Sequence, residues 1–135
     1  MTARQKQKVR ESFPVIREVA GPLSQLFYGR LFELQPGLRP MFRHDLASQG
    51  RKLMEMLSVI VDHLDRLESL DPVLRELGRR HAGYGVLPQH YATVEQALLW
   101  SFGHAMEYEF DDELEGAWRA IITEVSNAML AGAQP

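Results

Sequence analysis

The stretch ELGRRHAGYGVLPQHY, residues 76–91, places a histidine, His81, just before two glycines and a proline. Upstream of it, Leu74, Leu77 and His81 fall at i, i+3 and i+7, the spacing of one helix face. Gly83 and Gly85 predict the end of that helix, and Pro88 predicts the opening of the next. An imidazole that prolongs a leucine stripe points inward. It is either a core histidine satisfied by a hydrogen bond or a group that holds something, and periodicity leaves both readings open.

Working outward, the helical period recurs almost everywhere. Val9, Phe13, Ile16 and Ala20 follow at steps of four, three and four, with Pro14 inside the pattern predicting a strain or kink. Gly21-Pro22 breaks this segment, and Pro22 suits the first turn of a helix carrying Leu23, Leu26, Phe27, Tyr28, Leu31 and Phe32. QPG at 35–37 ends that helix, and LRPMFRHDLASQG at 38–50 reads as turns. Leu53, Leu57, Ile60 and Leu64 form the clearest stripe, with Met56 and Leu67 beside it. Asp71-Pro72 then predicts a cap and a first-turn proline. Val94, Leu98, Ser101 and Ala105 share the next long helix. The last begins at DDEL, whose acidic residues suit a helix N-terminus, and turns Leu114, Trp118, Ile121, Val125 and Met129 to one face. No segment alternates like a half-buried strand. The expectation is an all-α fold, with residues 1–135 forming one domain of irregularly connected helices.

Composition narrows the chemistry. With 45% hydrophobic and 24% charged residues the chain reads as soluble and globular, and no apolar run reaches membrane length. The net charge of −3 gives no basic face for nucleic acid. The absence of cysteine excludes disulfides, zinc fingers, iron–sulfur ligation and thiol nucleophiles. The basic start MTARQKQKVRESFP lacks the apolar stretch of a secretory signal, so a cytoplasmic protein is expected. Phosphate loops, dinucleotide loops, H-E-x-x-H and EF-hand patterns are missing. The carboxylates of DHLDRLE (62–68) and DDELE (111–115) read as solvated helix faces.

Of the other histidines, His44 lies in the polar turn, His63 is off its stripe, His90 in a helix's first turn reads as solvated, and His104 caps carbonyls or faces water. Two more inward polar residues stand out. Gln49 lies four before Leu53, and Tyr28 lies three before Leu31 and four before Phe32. A buried polar group without a partner costs roughly 1–3 kcal/mol. Three such side chains on three helices are better explained if they surround something.

The segments FYGRLFELQPGLRPMF, SQGRKLMEML and LGRRHAGYGVLPQHY, in this order, resemble the bacterial single-domain globins and the globin module of flavohemoglobins. The resemblance covers Val9 to Met129. It rests on Pro36 followed six residues later by Phe42, on Tyr28 and Gln49 at the distal positions with Leu53 one turn on, and on His81 at the proximal position with Tyr91 downstream. It implies a globin fold of six to eight helices around a haem pocket, haem b as cofactor, and His81 as the iron's axial ligand. It implies Leu77's carbonyl as acceptor for the other ring nitrogen, and a lining of Phe42, Leu53, Leu57, Val86 and Val94 with Tyr91. Arg80 or Arg51 would pair with a propionate. Tyr28 and Gln49 become donors toward bound dioxygen, carbon monoxide or nitric oxide. The implied functions are oxygen binding and transport, and detoxification of nitric oxide with a separate reductase. The alternative is a gas sensor, or a haem-free regulatory module in which His81 only packs. Two departures accompany the resemblance. The glutamate that bonds the family's tyrosine at Tyr91 falls at or beyond Pro135, so that relay is expected to be missing. No flavin domain follows in this sequence. The short segment between Phe42 and Gln49 further predicts an irregular start to the distal helix.

Overall fold

A computed structural model describes residues 1–43 and 45–134. In chain order they form α1 (Ala3–Glu18), α2 (Ala20–Leu34), a 3₁₀ segment (Pro36–Met41), α3 (Leu46–Asp62) and a second 3₁₀ segment (Leu64–Leu70). There follow α4 (Asp71–Gly83), α5 (His90–Met106), a one-turn 3₁₀ piece (Glu107–Glu109) and α6 (Asp112–Ala133). The all-α reading holds.

Local chemistry explains most boundaries. Thr2 and Gln5 form a reciprocal capping box that starts α1. Asp45 and Asp111 start α3 and α6 by accepting from the amides of Ser48 and Leu114, each at 2.9 Å. The start of α3 is therefore regular, against the irregular one expected, and residues 46–50 of the supposed turn stretch are helical. Pro14 does not break α1, whose buried face of Val9, Phe13 and Ile16 continues across it. Asp71 is the first residue of α4 rather than its cap, and its carboxylate accepts from Arg75 Nε at 2.6 Å instead.

Trp118 on α6 is the hub of the core, 1% exposed, with ring centroids 4.9 Å from Phe102 and 6.3 Å from Phe13. Its indole N–H donates to Ser12 Oγ at 2.9 Å, and that hydroxyl donates in turn to the Lys8 carbonyl. Around this hub α4 packs on α6, α5 on α2 and α6, and α3 on α2 and α1. By contrast, α3, α4 and α5 have little close packing with one another. The apolar side chains they and the adjoining loops carry here, among them Phe42, Leu53, Leu77, Tyr91 and Val94, are only partly covered. No described helix is long and apolar enough to cross a membrane.

Candidate cofactor site

His81 stands in the last turn of α4, half-buried, on the face that begins with Leu74 and Leu77. Its Nδ1 lies 2.8 Å from the Leu77 carbonyl oxygen. A carbonyl can only accept, so Nδ1 carries a proton, and in the neutral ring Nε2 is the nitrogen with the lone pair. The same bond recurs at His63 with Val59 and at His104 with Trp100. It is a habit of helical histidines, and what sets His81 apart is its half-buried place on the face that buried Leu74 and partly buried Leu77 begin, where His63 and His104 follow no such stripe. The chain then turns away through Gly85, whose φ of +99° is the left-handed region that favours glycine. The Val86 amide returns to the His81 carbonyl at 3.0 Å and closes that turn.

Tyr28 on α2 is 4% exposed, with ring centroids 5.4 Å from Phe42 and 6.2 Å from Phe32. Burial pushes its phenol up to about 12, so the hydroxyl stays protonated and can donate. No hydrogen bond to a described residue uses it. Gln49 is half-buried in the first turn of α3. Beside it, Gly50 meets α2 so closely that a Cβ there would sit 2.7 Å from Ser24 Oγ and 4.0 Å from the Tyr28 ring. That approach brings the start of α3 to the Tyr28 wall. Phe42, Leu53, Val86, Tyr91 and Val94 are half-buried and Leu57 is buried. The Tyr91 hydroxyl is enclosed without a hydrogen-bond partner, and burial raises its pKa as well.

Other expectations change. His90 is not solvated: it is 7% exposed, and its Nδ1 accepts from the Leu87 amide at 2.9 Å, tying the loop to the first turn of α5. Arg80 is drawn to Glu76 at 3.4 Å, beside the two-pronged Arg79–Glu76 pair at 2.7 and 2.9 Å. Those guanidinium groups hold the Glu76 carboxyl down to about 2. Arg80 thus already has a carboxylate partner, while Arg51 is exposed on α3. His44 and the relay position at Pro135 lie outside the described residues. Sequence reading missed Met41, which faces Gly85, and Gly50. A glycine inside a strong helical stripe, about 1 kcal/mol less favourable than alanine, was the available signal for the latter. Two open surface hollows, of about 350 and 760 Å³, are lined by α1–α3 residues such as Arg10 and Asp62 and by α5–α6 residues such as Trp100 and Arg119. They include none of the site residues above.

Comparison with known proteins gives one consistent picture. The Globin family model matches residues 25–129. Neuroglobin-1 of Oncorhynchus mykiss is 27% identical, covering 98% of this chain and 92% of that protein. A flavohemoprotein of Bordetella parapertussis is 27% identical over 90% of this chain, which spans only 31% of that protein. Among solved structures, a bacterial globin from Campylobacter jejuni superposes with a TM-score of 0.84 at 20% identity, covering 98% of this chain and 96% of that one. An engineered carbene transferase from Rhodothermus marinus superposes with a TM-score of 0.88 at 22% identity, covering 98% and 93%.

Proposed function

The chain belongs to the globin family, and from that premise we propose that it holds a haem between α3, α4 and α5, with His81 as the axial iron ligand, and binds dioxygen and other diatomic gases there. The observation that carries this reading is that α3, α4 and α5 pack little on one another while polar groups on these helices and on α2 make no bond to a described residue. These are Nε2 of a neutral His81, the protonated Tyr28 hydroxyl and the enclosed Tyr91 hydroxyl, with partly buried apolar side chains on the same elements. A flat apolar macrocycle with a central cation fits such surroundings: the lone pair is a metal ligand, and half-covered Phe42, Leu53, Val86 and Val94 offer it apolar contact. The alternative of pure core packing leaves the enclosed Tyr91 hydroxyl with no bond to a described residue, at roughly 1–3 kcal/mol.

When bound, the haem supplies reversible ligation of a diatomic gas at iron. The protein's own residues do the rest. Leu77's carbonyl fixes the orientation and tautomer of the His81 ring through Nδ1–H. Tyr28 and Gln49 would donate hydrogen bonds to a partly anionic ligand, each contributing about 1.5–3 kcal/mol. Phe42, Leu53 and Leu57 exclude water. The similarity to a flavohemoprotein supports a further step with a separate reductase: one nitric oxide and one dioxygen combine to nitrate while the reductase delivers one electron per turnover. Haem b is the form proposed, because the chain has no cysteine for covalent attachment of the macrocycle's vinyl groups.

The test is direct. Protein supplied with haem should show an intense Soret band that shifts with carbon monoxide, and His81→Ala should lose haem retention. A protein that stays colourless after haem addition, or an H81A variant that retains haem with an unchanged spectrum, refutes the assignment. Oxy protein mixed with nitric oxide and a reductase should form nitrate over many cycles; a single stoichiometric turnover argues for gas storage.

A further inference from the structure

The proximal helix α4 is seated on α6 by two reciprocal glycine notches. A Cβ on Gly78 would overlap the backbone carbonyl of Met129, and a Cβ on Gly132 would overlap the backbone carbonyl of Arg75. The two helices therefore meet backbone to backbone, with no side chain as a cushion. Gly78 is three residues before His81 and adjacent to Leu77, whose carbonyl orients the imidazole. Gly116 and Gly83, on these same helices, have open space where a Cβ would go. Crowding is thus confined to the notches.

We propose that Gly78 and Gly132 are positioning residues that set the depth of α4, and with it how far the His81 imidazole extends toward the space between α3, α4 and α5. The inference rests on the haem reading above. Ordinary contact between non-bonded heavy atoms is about 3.5–4 Å. A methyl at 78 must therefore drive the two backbones apart by more than about 1 Å. α6 is anchored by buried Trp118, Ile121 and Met129, while α4 has little packing against α3 and α5 across the space between them. The easier movement is α4 toward that space, carrying His81 with it.

Resonance Raman spectroscopy of the ferrous, ligand-free protein reads the result. Gly78→Ala should shift the iron–histidine stretching band, and Gly116→Ala should leave it in place. The discriminating background is His81→Gly with free imidazole supplied as the axial ligand. There the ring is detached from α4, so Gly78→Ala should no longer shift the band. If Gly78→Ala is not recovered folded, Gly132→Ala makes the same test from the other notch, with a smaller shift because Arg75 lies further from His81. An unchanged band in the folded, haem-loaded notch variant overturns the inference, as does a shift that persists with detached imidazole. Wild-type protein that takes up no haem overturns the underlying reading and the inference together, and the Soret spectrum separates that outcome from the other two.

Discussion

Replacing Tyr28 with phenylalanine separates its chemistry from its packing. The ring is nearly inaccessible and is held among Phe27, Phe32 and Phe42 at centroid distances of 4.9, 6.2 and 5.4 Å. Phenylalanine fills the same space. The hydroxyl bonds to no described residue, so its loss removes no hydrogen bond to the described residues and should leave Tm unchanged or slightly higher. Toward a bound, partly anionic dioxygen the loss is large. A hydrogen bond of about 1.5–3 kcal/mol corresponds to roughly 10- to 100-fold in dissociation rate, at 1.4 kcal/mol per decade. Stopped-flow displacement of dioxygen by excess carbon monoxide measures that rate in wild type and variant, and calorimetry gives Tm. Carbon monoxide dissociation should change much less, because that ligand carries less negative charge. A folded, haem-loaded Tyr28→Phe protein that releases dioxygen at the wild-type rate would refute the donor role.

Three further outcomes follow from particular contacts. Ser12→Ala strands the buried indole N–H of Trp118, bonded across 106 residues of sequence, and should cost about 1–3 kcal/mol in urea unfolding; a loss below this range would mean that water replaces the hydroxyl. His90→Ala removes the acceptor of the Leu87 amide and should speed hydrogen exchange at that amide and loosen the α4–α5 loop, whereas unchanged exchange would show that the loop holds without it. Alkaline stability should fall as Tyr28 titrates. The folded phenol stands at about 12 against an ordinary 10.0, so the unfolded chain loses this proton first and its stabilisation, complete below 10, drains away up to about 12. Two units correspond to about 2–3 kcal/mol. Tyr28→Phe should flatten this part of the pH–stability curve, and parallel curves for the two proteins would contradict it.

The sequence by itself determined most of the helical elements and pointed to the candidate site residues. Helical faces are local properties: a 3.6-residue period, Asp caps and glycine or proline stops are written within a few residues of each boundary, and they located His81, Tyr28 and Gln49 on inward faces. Pro14 shows the limit of that logic. Its local cost to α1 is outweighed by burial of Val9, Phe13 and Ile16 against distant segments, which no local pattern records. His90 shows it again: a first-turn histidine reads as solvated, yet the loop folds its own amide onto the ring. Only the tertiary structure decided that α4 rests backbone to backbone on α6 through Gly78 and Gly132. It also decided that α3, α4 and α5 pack little on one another and that the Tyr91 hydroxyl is enclosed with no bond to a described residue. These depend on which surfaces meet after the chain closes on itself, and a one-dimensional periodicity fixes the direction a side chain faces without fixing what it will find there.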